Sequence, residues 1–517
     1  MFDTLIYGGQ VIDGTGKPAF IADVGLVGDR ITAVGKLDGA EAKSRVDATG
    51  CVVAPGMIDA HVHGDLALFH DPAHEPAVRQ GVTTYIIGQD GVAMAPASPA
   101  TLDHMRRYTA GFNGNFPTPG LLWRNVDEYL SLFAGRTSIN AATLVPNGNV
   151  RMDVMGLEQR QPTPEELIKI RRLVREGMEQ GAVGLSSGLD YIPSLYADEA
   201  ELTALCQEIA PFGGVYVTHM RSYTPQNVEP AMREVQNIGL NAGCKVHISH
   251  FNSIAEQVIP LMDAMERAGS DLSFDLYCYL YGSTILGMIA LPPEAMAGGV
   301  GATLKRLQEP GARAKVREWV ANPRFDLNRV RLGSVPSDEY RYLEGSTLGE
   351  AMAITGRSLS DLIVDLLLAT ETATNAVMPH NALRTDRDIE ALMRDRRMTA
   401  GSDGIYVGGR PHPRGTGCFA RYLGHYVHSG VWSLEEAVMK CSRQVAERHG
   451  LKDRGVIAEK MAADLIVFNP AKVVDRSTFD NGKALAEGMQ HVFVNGQAIL
   501  KDGERTSARP GRGLRRG

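Results

Sequence analysis

Ala54-Pro55-Gly56-Met57-Ile58-Asp59-Ala60-His61-Val62-His63-Gly64-Asp65 is the stretch on which the reading of this 517-residue chain turns. An apolar run, Cys51-Val52-Val53-Ala54, breaks at Pro55-Gly56, resumes as Met57-Ile58 and delivers His-x-His. If Met57 to His63 is a strand, alternate side chains share a face, so His61 and His63 project the same way. Two imidazoles on one face at the end of a buried strand form a two-point clamp for a metal. A lone His-x-His fits two surface histidines as well, so the argument rests on the residues downstream.

Outward from this stretch, short apolar strands alternate with amphipathic helices, the rhythm of a parallel α/β sheet or barrel. Strand candidates are Thr84-Tyr85-Ile86-Ile87, Val183-Gly184-Leu185-Ser186, Val215-Tyr216-Val217-Thr218, Lys245-Val246-His247-Ile248-Ser249, Leu272-Ser273-Phe274-Asp275 and Met398-Thr399-Ala400. Thr163, Pro164 and Glu166 form a capping box with proline in the first turn, and Leu167, Ile170, Leu173, Val174 and Met178 recur at helical spacing before Gly181. A second such helix is expected from Ser433, with Glu436, to Gly450. This pattern predicts an eight-stranded barrel with its site at the strand C-termini.

Those strand ends finish in residues able to bind a metal: His61 and His63, then Asp90, His219, His250 and Asp403. In a barrel the tips converge on one cavity, so the set is far more specific than any one member. It suits one or two divalent ions, zinc foremost. Such an ion lowers the pKa of bound water from ~15.7 toward ~7, ready to attack an amide. Asp403 is placed to accept the proton of that water and pass it to the leaving nitrogen.

The chain ends read differently. Thr4 to Val34 is a series of short strands broken at Gly8-Gly9, at Asp13-Gly14-Thr15-Gly16 and at Gly28-Asp29. Ala463 to Phe468 and His491 to Leu500 look alike, with Asn495-Gly496 as a hairpin turn. The expectation is one small β-sandwich domain from residues 1–55 and 460–517, with a catalytic barrel at 56–459 between them. Residues 291–375 interrupt the rhythm with Pro292-Pro293, a helix-like Gly301 to Val320 and a lone strand Val330-Arg331-Leu332-Gly333, and are read as a lid.

Composition excludes several classes. With 44% hydrophobic and 22% charged residues and a net charge of -7, the chain offers no broad basic face for nucleic acid. Its one basic cluster, Arg505 to Arg516, reads as an anion site or a solvated end. Six scattered cysteines without CxxC spacing suit reduced thiols and a cytoplasmic enzyme. No secretion signal and no membrane span are expected. The partner is a small-molecule amide; the oligomeric state is left open, a homo-oligomer included.

Taken in order, the motifs resemble the amidohydrolase superfamily, specifically its N-acyl-D-amino-acid deacylase (D-aminoacylase) branch, nearly end to end. They are Gly9 to Gly16, Pro55 to Asp65, Ser186-Ser187-Gly188-Leu189-Asp190-Tyr191-Ile192-Pro193, Thr218-His219-Met220-Arg221, Val246 to His250, Gly401-Ser402-Asp403-Gly404, His412-Pro413-Arg414 and Ala508 to Arg512. The resemblance implies a TIM-like metal-dependent barrel, a small β-sandwich from both chain ends, an inserted lid and hydrolysis of N-acyl-D-amino acids. It implies His219 and His250 as ligands of a tightly held metal, His61 and His63 as ligands of a weaker site, and Asp403 as acid/base. It also implies Arg414 as the grip on the substrate carboxylate, with Tyr191 and Tyr279 lining the pocket. Two positions depart from the family. Asp90 stands where the family has cysteine, and a carboxylate is a harder ligand than thiolate. Phe251-Asn252 stands where the family has leucine and a carboxylate-binding lysine. Asn252 thus takes the lysine's place at the substrate, leaving room for a dipeptide-like or cyclic amide. A cyclic-amide hydrolase of the dihydroorotase or hydantoinase kind is the alternative, although no lysine stands at a matching strand end. A non-catalytic scaffold relative is a second alternative.

Simpler readings compete at several positions. His247 and His250 are three apart and should face opposite ways in an extended strand, which makes His247 a supporting residue. His70 and His74 fit no strand tip. His412 either orients Arg414 or Asp403 or fills a turn. Arg221 binds substrate or pairs with a carboxylate. Asp190 and Asp275 support ligands or cap loops.

Overall fold

A computed structural model describes residues 1–323 and 325–517. Eight short parallel strands form a barrel: Met57–Asp59, Val82–Ile87, Asn140–Thr143 with its continuation Val145–Pro146, Gly184–Gly188, Val215–His219, Lys245–Ile248, Leu272–Leu276 and Met398–Ala400. They pair in sequence order. The ring closes where Ala60 N donates to Ala400 O at 3.0 Å. Strands covered by helices on one face and packed side chains on the other have no wet side, which is why Val82–Ile87 is buried at every position. This is the (β/α)8 architecture that the alternating pattern predicts.

The helix Pro164–Glu179 forms with its capping box intact, Thr163 accepting from Glu166 N and Glu166 reaching back; such a cap is worth about 1 kcal/mol. The helix expected from Ser433 to Gly450 is two helices. Leu434–Cys441 ends at Ser442, whose backbone (φ -135°, ψ -83°) leaves the helical region, and Arg443–Arg448 starts afresh.

Both chain ends contribute to one nine-stranded sheet, in which Val52–Pro55 pairs with Leu465–Phe468. Phe2–Val11 runs straight through Gly8-Gly9, where a break is expected. The two glycines absorb a register shift between Ile6 and Gly9 instead of ending the strand. The Asn495-Gly496 turn forms with positive φ at both residues (48° and 79°), as a two-residue hairpin needs.

The basic tail is neither an anion site nor a solvated end. Leu514 is buried in a cluster with Ile58, Ile86 and Val215. Arg516 donates to Phe212 O and Gly213 O, both at 2.6 Å, and Arg515 pairs with Asp127 at 2.5 Å. A Cβ on Gly513 would lie 2.1 Å from Leu130 O, so only glycine lets the tail lie this close.

In the interrupting segment, the strand read as solitary, Arg331–Ser334, pairs with Asn375–Pro379, which pairs with Tyr281–Ile285. The expected single helix is Gly299–Gln308 and Ala312–Val320, split at Pro310-Gly311, where Gly311 takes φ +88°. Among the described residues no helix is long and apolar enough to cross a membrane.

Candidate metal centre and active site

Six side chains from the strand ends meet at one end of the barrel. His63 Nε2 lies 3.3 Å from Asp403 Oδ1 and 3.5 Å from Asp90 Oδ2. His61 Nε2 lies 3.6 Å from Asp90 Oδ1 and 3.8 Å from Asp403 Oδ1. His250 Nε2 lies 3.8 Å from the same Asp90 oxygen. Two groups have ligand atoms mutually close enough to hold a metal ion: His61 with His63 and Asp403, and His61 with Asp90 and His250. His219 stands at the edge of the second group, its Nδ1 2.9 Å from His250 Nε2 and 3.2 Å from Tyr191 Oη. The grouping thus crosses the pairs that the resemblance implies, because His61, at the centre, faces both carboxylates.

Backbone geometry explains how these residues reach one cavity. Asp90, His250 and Asp403 all take positive φ (56°, 33° and 49°), two or three residues beyond a strand end. That conformation costs roughly 1–3 kcal/mol for a non-glycine residue, and here it turns each side chain back over the barrel mouth. It also resolves the spacing problem at His247 and His250: the strand ends at Ile248 and the chain turns before His250. His247 stays below, bonded to Ser273 Oγ at 2.7 Å and Asp275 Oδ2 at 3.1 Å.

Asp275 ties the layer together. Its Oδ1 accepts from His250 N at 2.8 Å, and its Oδ2 lies 3.4 Å from His61 Nδ1. Asp59 does the same for the Asp403 loop, accepting from Ser402 N at 2.8 Å and from Ser402 Oγ at 2.5 Å. A carboxylate beneath a ligating imidazole fixes its orientation and raises its basicity. Asp275 had a sequence signal, the tip of a strand; Asp59 had none, because its partner lies more than 300 residues on.

The electrostatics favour a cation. Burial raises the Asp90 and Asp403 carboxyls, but His61 and His63 hold Asp90 well below the usual range, and Arg414 with His63 brings Asp403 to about 2. Burial and the neighbouring His219 push His250 down to about 4, so it is a neutral imidazole with a free lone pair. With Nδ1 of His61 directed at Asp275, its Nε2 and the Oδ1 of Asp90 are buried without a hydrogen-bond partner. Each such orphan costs about 1–3 kcal/mol, and a divalent ion satisfies them together. The donors are imidazole and carboxylate, so the residues present fit a divalent metal.

A cavity of about 220 Å³ opens over this centre, walled by His63, Asp90, His219, His250 and Asp403 below and by Phe112, Met288, Ile289, Phe325, Met378 and Ile405 above. Tyr191 and Asn252 border it as expected, and Asn252 Oδ1 is buried without a partner. Three other candidates are placed differently. Arg221 borders the cavity, but its guanidinium is taken by Glu234 at 2.9 Å and by the carbonyls of Leu195 and Ala197. Tyr279 turns away and packs edge-on against His412 at 5.1 Å, because strand alternation stops at Leu276. Arg414 is wholly buried behind Asp403, its Nη1 2.9 Å from Asp403 Oδ2, its Nη2 donating to Ser283 O at 3.3 Å. His412 Nδ1 accepts from Arg414 N at 3.0 Å, so it orients the arginine. Tyr277 and His380, which the sequence reading missed, border the cavity as well.

Comparison with known proteins bears on the whole chain. The model of the amidohydrolase family matches residues 45–315 and 342–500. A D-aminoacylase of Alcaligenes xylosoxydans xylosoxydans is 34% identical over 530 residues, covering 100% of this chain and 98% of its own. A solved D-aminoacylase structure, from a study of its binuclear metal centre, superposes with a TM-score of 0.82 at 31% identity over 100% of both chains. The N-acyl-D-glutamate deacylase of Bordetella bronchiseptica, complexed with zinc and a phosphonate mimic of the tetrahedral intermediate, superposes with a TM-score of 0.82 at 29% identity over 99% of both.

Proposed function

This chain belongs to the amidohydrolase family as a metal-dependent hydrolase of amide bonds, and from that premise we propose that it removes the acyl group from N-acyl-D-amino acids with zinc at its centre. The observation that carries this reading is the meeting of His61, His63, Asp90, His219, His250 and Asp403 under one cavity, with ligand atoms of His61 and Asp90 left unpartnered. The D configuration and the zinc are supported by the relatives, one a D-aminoacylase and one solved with zinc.

When bound, a divalent ion polarises an amide carbonyl and acidifies a water. The chain's own residues do the rest. Asp403, kept ionised by Arg414, takes the proton of the attacking water and gives it to the leaving nitrogen as the C–N bond breaks. The products are the free carboxylic acid and the free amino acid. His61, His63, Asp90 and His250 would hold the metal, with His219 beside them. Tyr191 and Asn252 face the substrate, and Asn252 offers an acceptor for an amide N–H.

The upper wall narrows the substrate. Among the described residues bordering the cavity, the one arginine, Arg221, is already paired, and no lysine is present. Met288, Ile289, Phe325 and Met378 suit an apolar side chain. The reading is therefore an N-acyl-D-amino acid with an apolar side chain. Residues 1–55 with 460–517 are taken as the small domain and 56–459 as the catalytic barrel. Residues 291–375, which supply Phe325 to the wall, are taken as its lid. Six free cysteines accord with a cytoplasmic enzyme.

The test is hydrolysis of a panel of N-acetyl-D- and L-amino acids by the zinc-loaded protein. N-acetyl-D-methionine or D-leucine should be turned over at least 10-fold better than the L-form and than N-acetyl-D-glutamate. Turnover of the L-form alone, or of a cyclic amide alone, would overturn the assignment.

A further inference from the structure

We propose that Arg384 and His380 are positioning residues that turn the hydroxyl proton of Tyr277 into the cavity, as a hydrogen-bond donor to the oxygen of the scissile carbonyl. The three side chains form one directed relay. Arg384 Nη1 donates to His380 Nδ1 at 2.7 Å, and His380 Nε2 lies 2.9 Å from Tyr277 Oη. A guanidinium can only donate, so His380 Nδ1 accepts. Burial, together with the nearby charges of Arg384 and Arg414, keeps the His380 ring neutral, and its one proton therefore sits on Nε2. That proton points at Tyr277 Oη. The tyrosine's own proton must leave on another side, and among the described residues none accepts it. Burial keeps Tyr277 protonated, and Tyr277 borders the cavity it shares with His63 and Asp403.

Three further observations show that the relay is built in. A Cβ on Gly282 would come 2.9 Å from His380 Nε2 and 3.2 Å from Tyr277 Oη, so the strand leaves room for this contact by having no side chain there. Arg384 is buried, with Nε and Nη2 unpartnered. Its Nη1 donates to Tyr279 O at 3.1 Å as well as to His380, and a buried cation with its other nitrogens unpartnered is costly. Arg414 Cζ stands 4.4 Å above the Tyr277 ring, and a cation over the ring face draws on its electrons and sharpens the hydroxyl as a donor.

The inference rests on the amide substrate read above for its kinetic test and not for its spectroscopic one. Tyr277→Phe in the full-length, metal-loaded protein should lower kcat roughly 10²- to 10³-fold, the range for loss of one oxyanion donor, with KM changed less than about 3-fold. Arg384→Met should lower kcat about 10-fold or more, and add nothing to Tyr277→Phe in the double variant. His380→Gln, which can accept from Arg384 and donate to Tyr277, should recover most of what His380→Leu loses. Nitrogen-15 NMR without substrate should show His380 protonated on Nε2 in the wild type and a tautomer mixture in Arg384→Met. Losses that multiply in the double variant, or a wild-type His380 protonated on Nδ1, would overturn the relay. If no N-acyl amino acid is hydrolysed but the tautomer is as stated, the substrate reading fails and the relay stands.

Discussion

Arg414 Nη1 and Asp403 Oδ2 are 2.9 Å apart, with the arginine wholly buried and the aspartate nearly so. The family resemblance implied Arg414 against the substrate; the structure puts it against the residue read as acid/base. Its guanidinium is the largest influence opposing burial on the Asp403 carboxyl. Removing one partner of a buried pair strands the other and costs roughly 3–5 kcal/mol. Arg414→Met should therefore lower both Tm and kcat/KM, the latter at least 10²-fold. Arg414→Lys keeps the charge but not the planar fork, and should lose less. Unchanged Tm by calorimetry in Arg414→Met would show that the pair is not formed in solution.

Asp90 touches three histidines of the centre, with one oxygen toward His61 and His250 and the other toward His63. Asp90→Ala should therefore lower bound metal by about one ion per chain. The measurement is elemental analysis after dialysis at fixed free zinc, and it needs no turnover. Full metal content in the variant would remove Asp90 from the ligand set.

Two buried histidines outside the ligand set, His74 and His449, the latter packed against His247, set an acid limit. Burial pushes His449 down to about 3 and His74 to about 4. Both are neutral when folded and take up protons on unfolding below about pH 6.5. Their contribution to stability is full above that value and is lost as pH falls toward 4 and 3, at about 1.4 kcal/mol per pH unit each. His449→Gln should flatten the fall of the urea midpoint between pH 6.5 and 4. An unchanged slope would mean that His449 is already charged in the folded protein.

The tail should be a stability element. Leu514 is buried, and Arg516 donates to four backbone carbonyls, of Phe212, Gly213, Val183 and His449. Burying one leucine contributes about 1.5–3 kcal/mol and each hydrogen bond about 1 kcal/mol. A chain ended after Pro510 should melt several degrees lower in a thermal scan, with the metal content of its folded fraction unchanged. A Tm equal to the full chain would show the tail to be dispensable.

How far the sequence reaches differs by element. Met57-Ile58 followed by His61 and His63, and the later tips at Asp90, His219, His250 and Asp403, were legible because each is local: an apolar run stops and a ligand follows. The capping box at Thr163 and the turn at Asn495-Gly496 were legible for the same reason, since a few adjacent residues set both geometries.

The tertiary structure alone decided which ligands share a site and which way the arginines point. His61 groups with Asp90 and His250 because positive-φ turns at Asp90 and His250 override the two-residue alternation of a strand. Arg414 is drawn under Asp403, Arg221 is taken by Glu234, and Arg384 reaches His380 and through it Tyr277, more than 100 residues back along the chain. The barrel scaffold follows from periodicity, which any short window of sequence displays. The charge pairs depend on distances across the closed barrel, and those exist only once Ala60 has met Ala400 and the ring is shut.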